Sequence, residues 1–197
     1  MLSTFLGIDY GAKTSGNTVI CYHNGRELLL YTSDKKDADL FIMDFVSQHS
    51  PSLTKIFLDA PLSLPAVYYA TEGFSNYHYR ACDIALKAMS PMFLGGLTAR
   101  AIELKHRLEA QNIQTFEVYP KTIAQVLLSD QYHKKLLPSE LKRLSDLLTQ
   151  HIPEIQLNHY PQNQHQFDGM LAWISGFRFL NQQHQVFGHP KEGIIIV

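Results

Sequence analysis

Thr4-Phe5-Leu6-Gly7-Ile8-Asp9-Tyr10-Gly11 is a short apolar run that ends in a carboxylate and then a glycine. Such a run reads as a buried strand meeting a tight turn. The pattern recurs at Lys55-Ile56-Phe57-Leu58-Asp59-Ala60-Pro61, where the proline disfavours a helical Ala60 and so closes the strand. Two strands then deliver two carboxylates to one sheet edge. In open α/β sheets the ligand crevice lies beyond the carboxyl ends of the parallel strands, which makes Asp9 and Asp59 candidates for metal or proton chemistry. The competing explanation for either residue alone is an aspartate in an Asx turn or at a helix N-cap.

Between these strands, residues 18–22 resume β-type side chains, Asn24-Gly25 is a hairpin signal, and residues 27–32 supply a third strand. A helix over 38–48, with Leu40, Phe41, Phe45 and Val46 on one stripe, leads into the strand that ends at Asp59. Residues 61–96 have poor periodicity, three prolines and the aromatics Tyr68, Tyr69, Phe74, Tyr77 and Tyr79, with one helix expected over 78–89. This segment reads as an insertion or lid. Its aromatics either fill a core or offer stacking faces to single-stranded bases. Helices are expected over 98–110, 122–128, 139–150 and 165–181, with Asn112 at the exit of the first. A strand over 115–119 carries Glu117 and stops at Pro120, and Ile194-Ile195-Ile196-Val197 reads as a closing strand, either buried in the sheet or at a subunit contact.

Asp168 opens the last helix, followed at +4 and +7 by the small Ala172 and Ser175, beside the bulky stripe of Phe167, Met170, Leu171, Ile174 and Phe177. Small residues let a helix approach a sheet closely, which could aim Asp168 at the strand acids; a first-turn aspartate that favours the helix dipole is the alternative. For Glu117, the alternation with Phe116 and Val118 does not fix which face it takes. Carboxylates from four separate elements suit Mg2+ or Mn2+, which prefer hard oxygen ligands, better than zinc. Two such ions about 4 Å apart would clamp the attacking and leaving oxygens of a phosphodiester. His165 and Asp168, at i and i+3, could share a metal, although a scattered surface set explains the 10 histidines more simply. No Ser-His-Asp spacing stands out, and Gly7-x-Asp9-x-Gly11 is too short for a phosphate-wrapping loop.

With 197 residues, 45% of them hydrophobic, the chain suits one compact domain with a full core. A formal net charge of -1 lacks the basic excess of strong nucleic-acid binders. Residues 61–150 carry 10 basic and 8 acidic side chains and form the only basic segment, which solvated helix faces explain. Cys21 and Cys82 are far apart and outside any Cys-x-x-Cys, which argues against a disulfide scaffold or thiolate zinc site. With no basic leader and no window near the ~20 apolar residues of a spanning helix, a cytoplasmic location without membrane contact is expected.

Several segments also recur in a familiar order: Leu6 to Gly11, Phe57 to Pro65, Tyr79-Arg80-Ala81-Cys82-Asp83, Phe116-Glu117-Val118-Tyr119-Pro120, Phe167 to Ala172, and His189-Pro190-Lys191-Glu192-Gly193. Together they resemble, over nearly the whole chain, the predicted-nuclease family catalogued as domain of unknown function 429, within the ribonuclease H-like superfamily. The resemblance implies an α/β fold with a mixed sheet in β-β-β-α-β-α-β-α order, flanked by helices and carrying a helical insertion after the fourth strand. It also implies Mg2+- or Mn2+-dependent hydrolysis of phosphodiester bonds in DNA or RNA. On that basis Asp9, Asp59 and Asp168 look like metal ligands, and Glu117 looks like a supporting catalytic member. Arg80 and Lys121 look like substrate contacts, with an i, i+3 ion pair to Asp83 as the alternative for Arg80. Two other readings are a non-catalytic binding or scaffold protein that keeps the fold, and a nucleotide-dependent phosphotransferase, which would need a second phosphate loop that the chain does not show.

Overall fold

The structure, a computed structural model, describes residues 4–49, 52–133 and 136–197. Strand β1 (Phe5–Asp9) pairs antiparallel with β2 (Val19–His23), and β2 pairs antiparallel with β3 (Leu28–Thr32). The β2–β3 turn forms because the Asn24 side chain accepts from the backbone N–H of Arg26 and Glu27 while Gly25 takes a φ of 96°. Helix α1 (Ala38–His49) returns the chain so that β4 (Lys55–Asp59) lies parallel to β1. After the short helices α2 (Ala81–Leu86) and α3 (Pro91–Leu94), α4 (Gly96–Glu109) brings β5 (Gln114–Glu117) parallel to β4. The exit from α4 uses a left-handed Asn112, φ 61°. The sheet order is β3-β2-β1-β4-β5, so β1, β4 and β5 end at one edge. The expected α/β architecture with a mixed sheet between helices is thus met.

The rest of the chain is helical until its last hairpin. Helices α5 (Pro120–Leu128) and α6 (Pro138–His151) precede α7 (Gln164–Leu180), and β6 (Val186–His189) pairs antiparallel with β7 (Gly193–Ile196). The fifth strand ends at Glu117, short of the expected Tyr119, and Pro120 takes the first position of α5.

Alternate strand residues divide between two cores. Phe5 and Phe57 pack with Met170 and Trp173 of α7, whereas Leu6, Ile8, Ile56 and Leu58 pack with Ile42 and Val46 of α1 and Leu104 and Leu108 of α4. Helix α7 rests almost on the β1 backbone, since a Cβ on Gly7 would fall 2.0 Å from the Trp173 amide nitrogen. A Cβ on Gly176 would lie 2.4 Å from the Phe57 ring. The close approach expected from Ala172 and Ser175 is therefore made chiefly by glycines, one in the strand and one in the helix.

Three expectations change. The helix expected over 78–89 is only α2, because the Asn76 side chain holds the N–H groups of His78 and Tyr79 in a turn and Arg80 is extended. It stops where Lys87 turns left-handed, φ 51°. Tyr68, Tyr69, Tyr77 and Tyr79 are exposed rather than core. Strand β6 lies outside the expected elements; it makes the closing strand half of a hairpin, which touches the main sheet through a parallel bridge from Ile196 to Val118. Among the described residues no helix is long and apolar enough to cross a membrane.

Candidate active site

Asp9 and Asp59 are register partners at the ends of β1 and β4. Partners in a parallel pair share a face, and neighbouring strands lie about 4.8 Å apart. Both carboxylates therefore leave the sheet side by side, on the face covered by α7. Asp9 is 8% exposed, and Asp59 is half-buried.

Helix α7 brings the next two groups. The Asn163 side chain accepts from the Gln166 N–H at 3.0 Å and starts the helix there, so that His165 and Asp168 fall one turn apart. Nδ1 of His165 donates to Asp9 Oδ2 at 2.8 Å. Asp168 Oδ1 accepts from the Tyr132 hydroxyl at 2.8 Å and from Gln164 Nε2 at 3.1 Å.

These acids feel one another. Burial, and then the charges of Asp9, Asp168 and Glu117, hold the Asp59 carboxyl well above the usual carboxylate range. Burial and the Asp9 charge push Asp168 up to about 7, against the opposing hydrogen bonds from Tyr132 and Gln164. Burial raises Asp9 despite its bond to His165, and that same bond raises His165. No hydrogen bond among the described residues contributes at Asp59.

Glu117, whose charge also reaches Asp59, is separated from the other acids by the sheet. It is the register partner of Leu58 rather than of Asp59, so it leaves the sheet on the opposite face. There its Oε1 and Oε2 accept from Arg80 Nη2 and Nη1 at 2.6 and 2.7 Å, and Oε2 also accepts from the Leu62 N–H at 2.8 Å. Arg80 is fully buried between Glu117 and Asp83, with its remaining Nη1 bond going to Ser63. That guanidinium is buried and engaged by Glu117, Asp83 and Ser63, so the ion pair named as the alternative for Arg80 is made, with Glu117 as well as Asp83, although Arg80 also lines a cavity with Asp9 and Asp59. Lys121, by contrast, is exposed on the first turn of α5 and lines a cavity of about 220 Å³ with Asp59, Asp168 and Tyr132. A second cavity of about 250 Å³ is lined by Asp9, Asp59, Arg80 and Glu117 together with the apolar Met89 and Leu97.

The carboxylates of Asp9, Asp59 and Asp168 offer a hard oxygen donor set, which fits Mg2+ or Mn2+. The unpartnered Asp59 supplies the group that most needs a cation. Among the described residues no three such side chains converge on one point, because Asp9 is turned onto His165 and Asp168 onto Tyr132. His165 is marked in the sequence only by its i, i+3 spacing to Asp168, among 10 histidines.

No family model matches the chain, and no curated protein matches it. Among solved structures it is similar to RuvC from Thermus thermophilus, with 14% identity, a TM-score of 0.43, and coverage of 91% of this chain and 96% of that one. A likeness of this degree carries no chemistry from one protein to the other.

Proposed function

We propose that the protein is a divalent-metal-dependent hydrolase of phosphodiester bonds in DNA or RNA, with Asp9, Asp59 and Asp168 as the metal ligands. The observation that carries this reading is the pairing of Asp59, a carboxylate with no hydrogen bond among the described residues, with Asp9 at the same register. Carboxylates held this close repel unless a proton or a cation lies between them. When bound, a pair of Mg2+ or Mn2+ ions would stabilise charge on the attacking and leaving oxygens. His165 orients Asp9 through Oδ2, and Tyr132 and Gln164 orient Asp168 through Oδ1, which leaves the second oxygen of each carboxylate unclaimed by those donors. Lys121, which lines a cavity with Asp59 and Asp168, is the residue assigned to a substrate phosphate in this reading.

The test is a cleavage assay on single-stranded, duplex and branched DNA and RNA with Mg2+ or Mn2+, comparing wild type with Asp9→Asn. Cleavage that needs the metal and disappears in the variant supports the reading; no cleavage of any substrate by folded wild type overturns it. The Asp9–His165 hydrogen bond and the lack of convergence favour a second reading, a non-catalytic binding protein. That reading expects Asp9→Asn to alter stability alone.

A further inference from the structure

A carboxylate without hydrogen bonds is placed only as well as its backbone, and the backbone just beyond Asp59 is held in an unusual way. Leu62 donates its N–H to Glu117 Oε2 at 2.8 Å. The Ser63 hydroxyl donates to the Glu192 carbonyl at 2.7 Å and accepts from Arg80 Nη1 at 2.8 Å. The Glu192 side chain, 5% exposed, accepts from the Ala81 N–H at 2.6 Å and from the Ala66 N–H at 3.5 Å. Gly193, φ 115°, lets the hairpin come this close, since a Cβ there would fall 2.1 Å from Ser63 Oγ. Three elements thus converge on residues 62–66: the end of β5 through Glu117, the start of α2 through Arg80, and the β6–β7 turn through Glu192.

We infer that Glu117, Arg80, Ser63 and Glu192 form a clamp that positions Asp59 through the backbone that follows it. These are positioning residues, none of them a ligand or a substrate contact, and their importance for metal rests on the function proposed above. The clamp assigns a task to two sequence segments that the carboxylate site leaves unused, Tyr79 to Asp83 and His189 to Gly193. It also explains why Glu117 lies on the opposite face from the other acids: it acts on Asp59 through Leu62.

The clamp is tested by amide hydrogen exchange of residues 60–66 and by calorimetric Mn2+ titration, on wild type, Ser63→Ala, Glu117→Gln and Glu117→Leu. Glu117→Gln keeps an oxygen for the Leu62 N–H but turns an NH2 group towards the Arg80 guanidinium, and is expected to fall between wild type and Glu117→Leu. Glu117→Leu and Ser63→Ala should speed exchange of the segment about tenfold, with native circular dichroism retained in Ser63→Ala. Both should weaken Mn2+ binding roughly tenfold. If Glu117→Leu does not fold, Ser63→Ala decides alone. Unchanged exchange over 60–66 in Ser63→Ala overturns the clamp, as does faster exchange with wild-type Mn2+ affinity. A wild type that binds no Mn2+ removes the metal reading instead, and the exchange data then decide the clamp by themselves.

Discussion

Asp9 and Asp59 stand at the same register on two parallel strands, and the hydrogen bond that reaches the pair comes from His165 to Asp9. Most of the site's behaviour follows from that arrangement. The two carboxylates, with Asp168 above them, are costly to ionise together, and whatever neutralises them stabilises the protein.

Without metal, stability should fall as pH rises. Asp168 has its folded value raised to about 7 from 3.8, so its contribution is present at low pH and lost as pH climbs through that window. Asp9, Asp59 and His165 are shifted in the same direction. His23, lowered by burial, acts oppositely as pH falls. The variant Asp168→Asn isolates the effect: at pH 8 it should melt several degrees above metal-free wild type, and the gap should close towards pH 5. Thermal melts across pH 5–8 check this, and a gap that widens on acidification would contradict it.

Arg80 and Lys121 should separate cleanly. Removing the guanidinium in Arg80→Met leaves Glu117 and Asp83 buried without their cation, which costs about 3–5 kcal/mol of stability. Lys121→Ala should leave stability within about 0.5 kcal/mol and weaken nucleic-acid binding, with a shallower salt dependence. Denaturant titration and fluorescence anisotropy at two ionic strengths read the two effects.

Gly7→Ala should be among the most damaging single-methyl changes in the chain. The added carbon meets backbone rather than a flexible side chain, so α7 must lift off β1, at a cost of about 3 kcal/mol or more. Because α7 carries His165 and Asp168, any folded fraction should also bind Mn2+ more weakly than wild type.

The parts of the site that were legible in the sequence are those encoded locally. An apolar run closing on an aspartate and a turn residue marks Asp9 and Asp59, and the last helix carries Asp168 in its own first turns. What escaped depends on register or on distant partners. Glu117 belongs to the far face only because it pairs with Leu58, a one-residue matter that alternation does not fix. The main anchor of Arg80 lies 37 residues away, His165 is one of 10 histidines, and the close packing at Gly7 is apparent only once Trp173 lies across it. Strand β6 is short and contains a glycine, so little in its composition marks it as a strand.

The most direct test of the metal site is a Mn2+ and Mg2+ calorimetric titration of wild type beside Asp59→Asn, with both proteins shown to be folded. Saturable binding in wild type, weakened at least tenfold in Asp59→Asn, is the predicted result. Equal binding in the two proteins, or none in wild type, would contradict the assignment of Asp59 as a metal ligand.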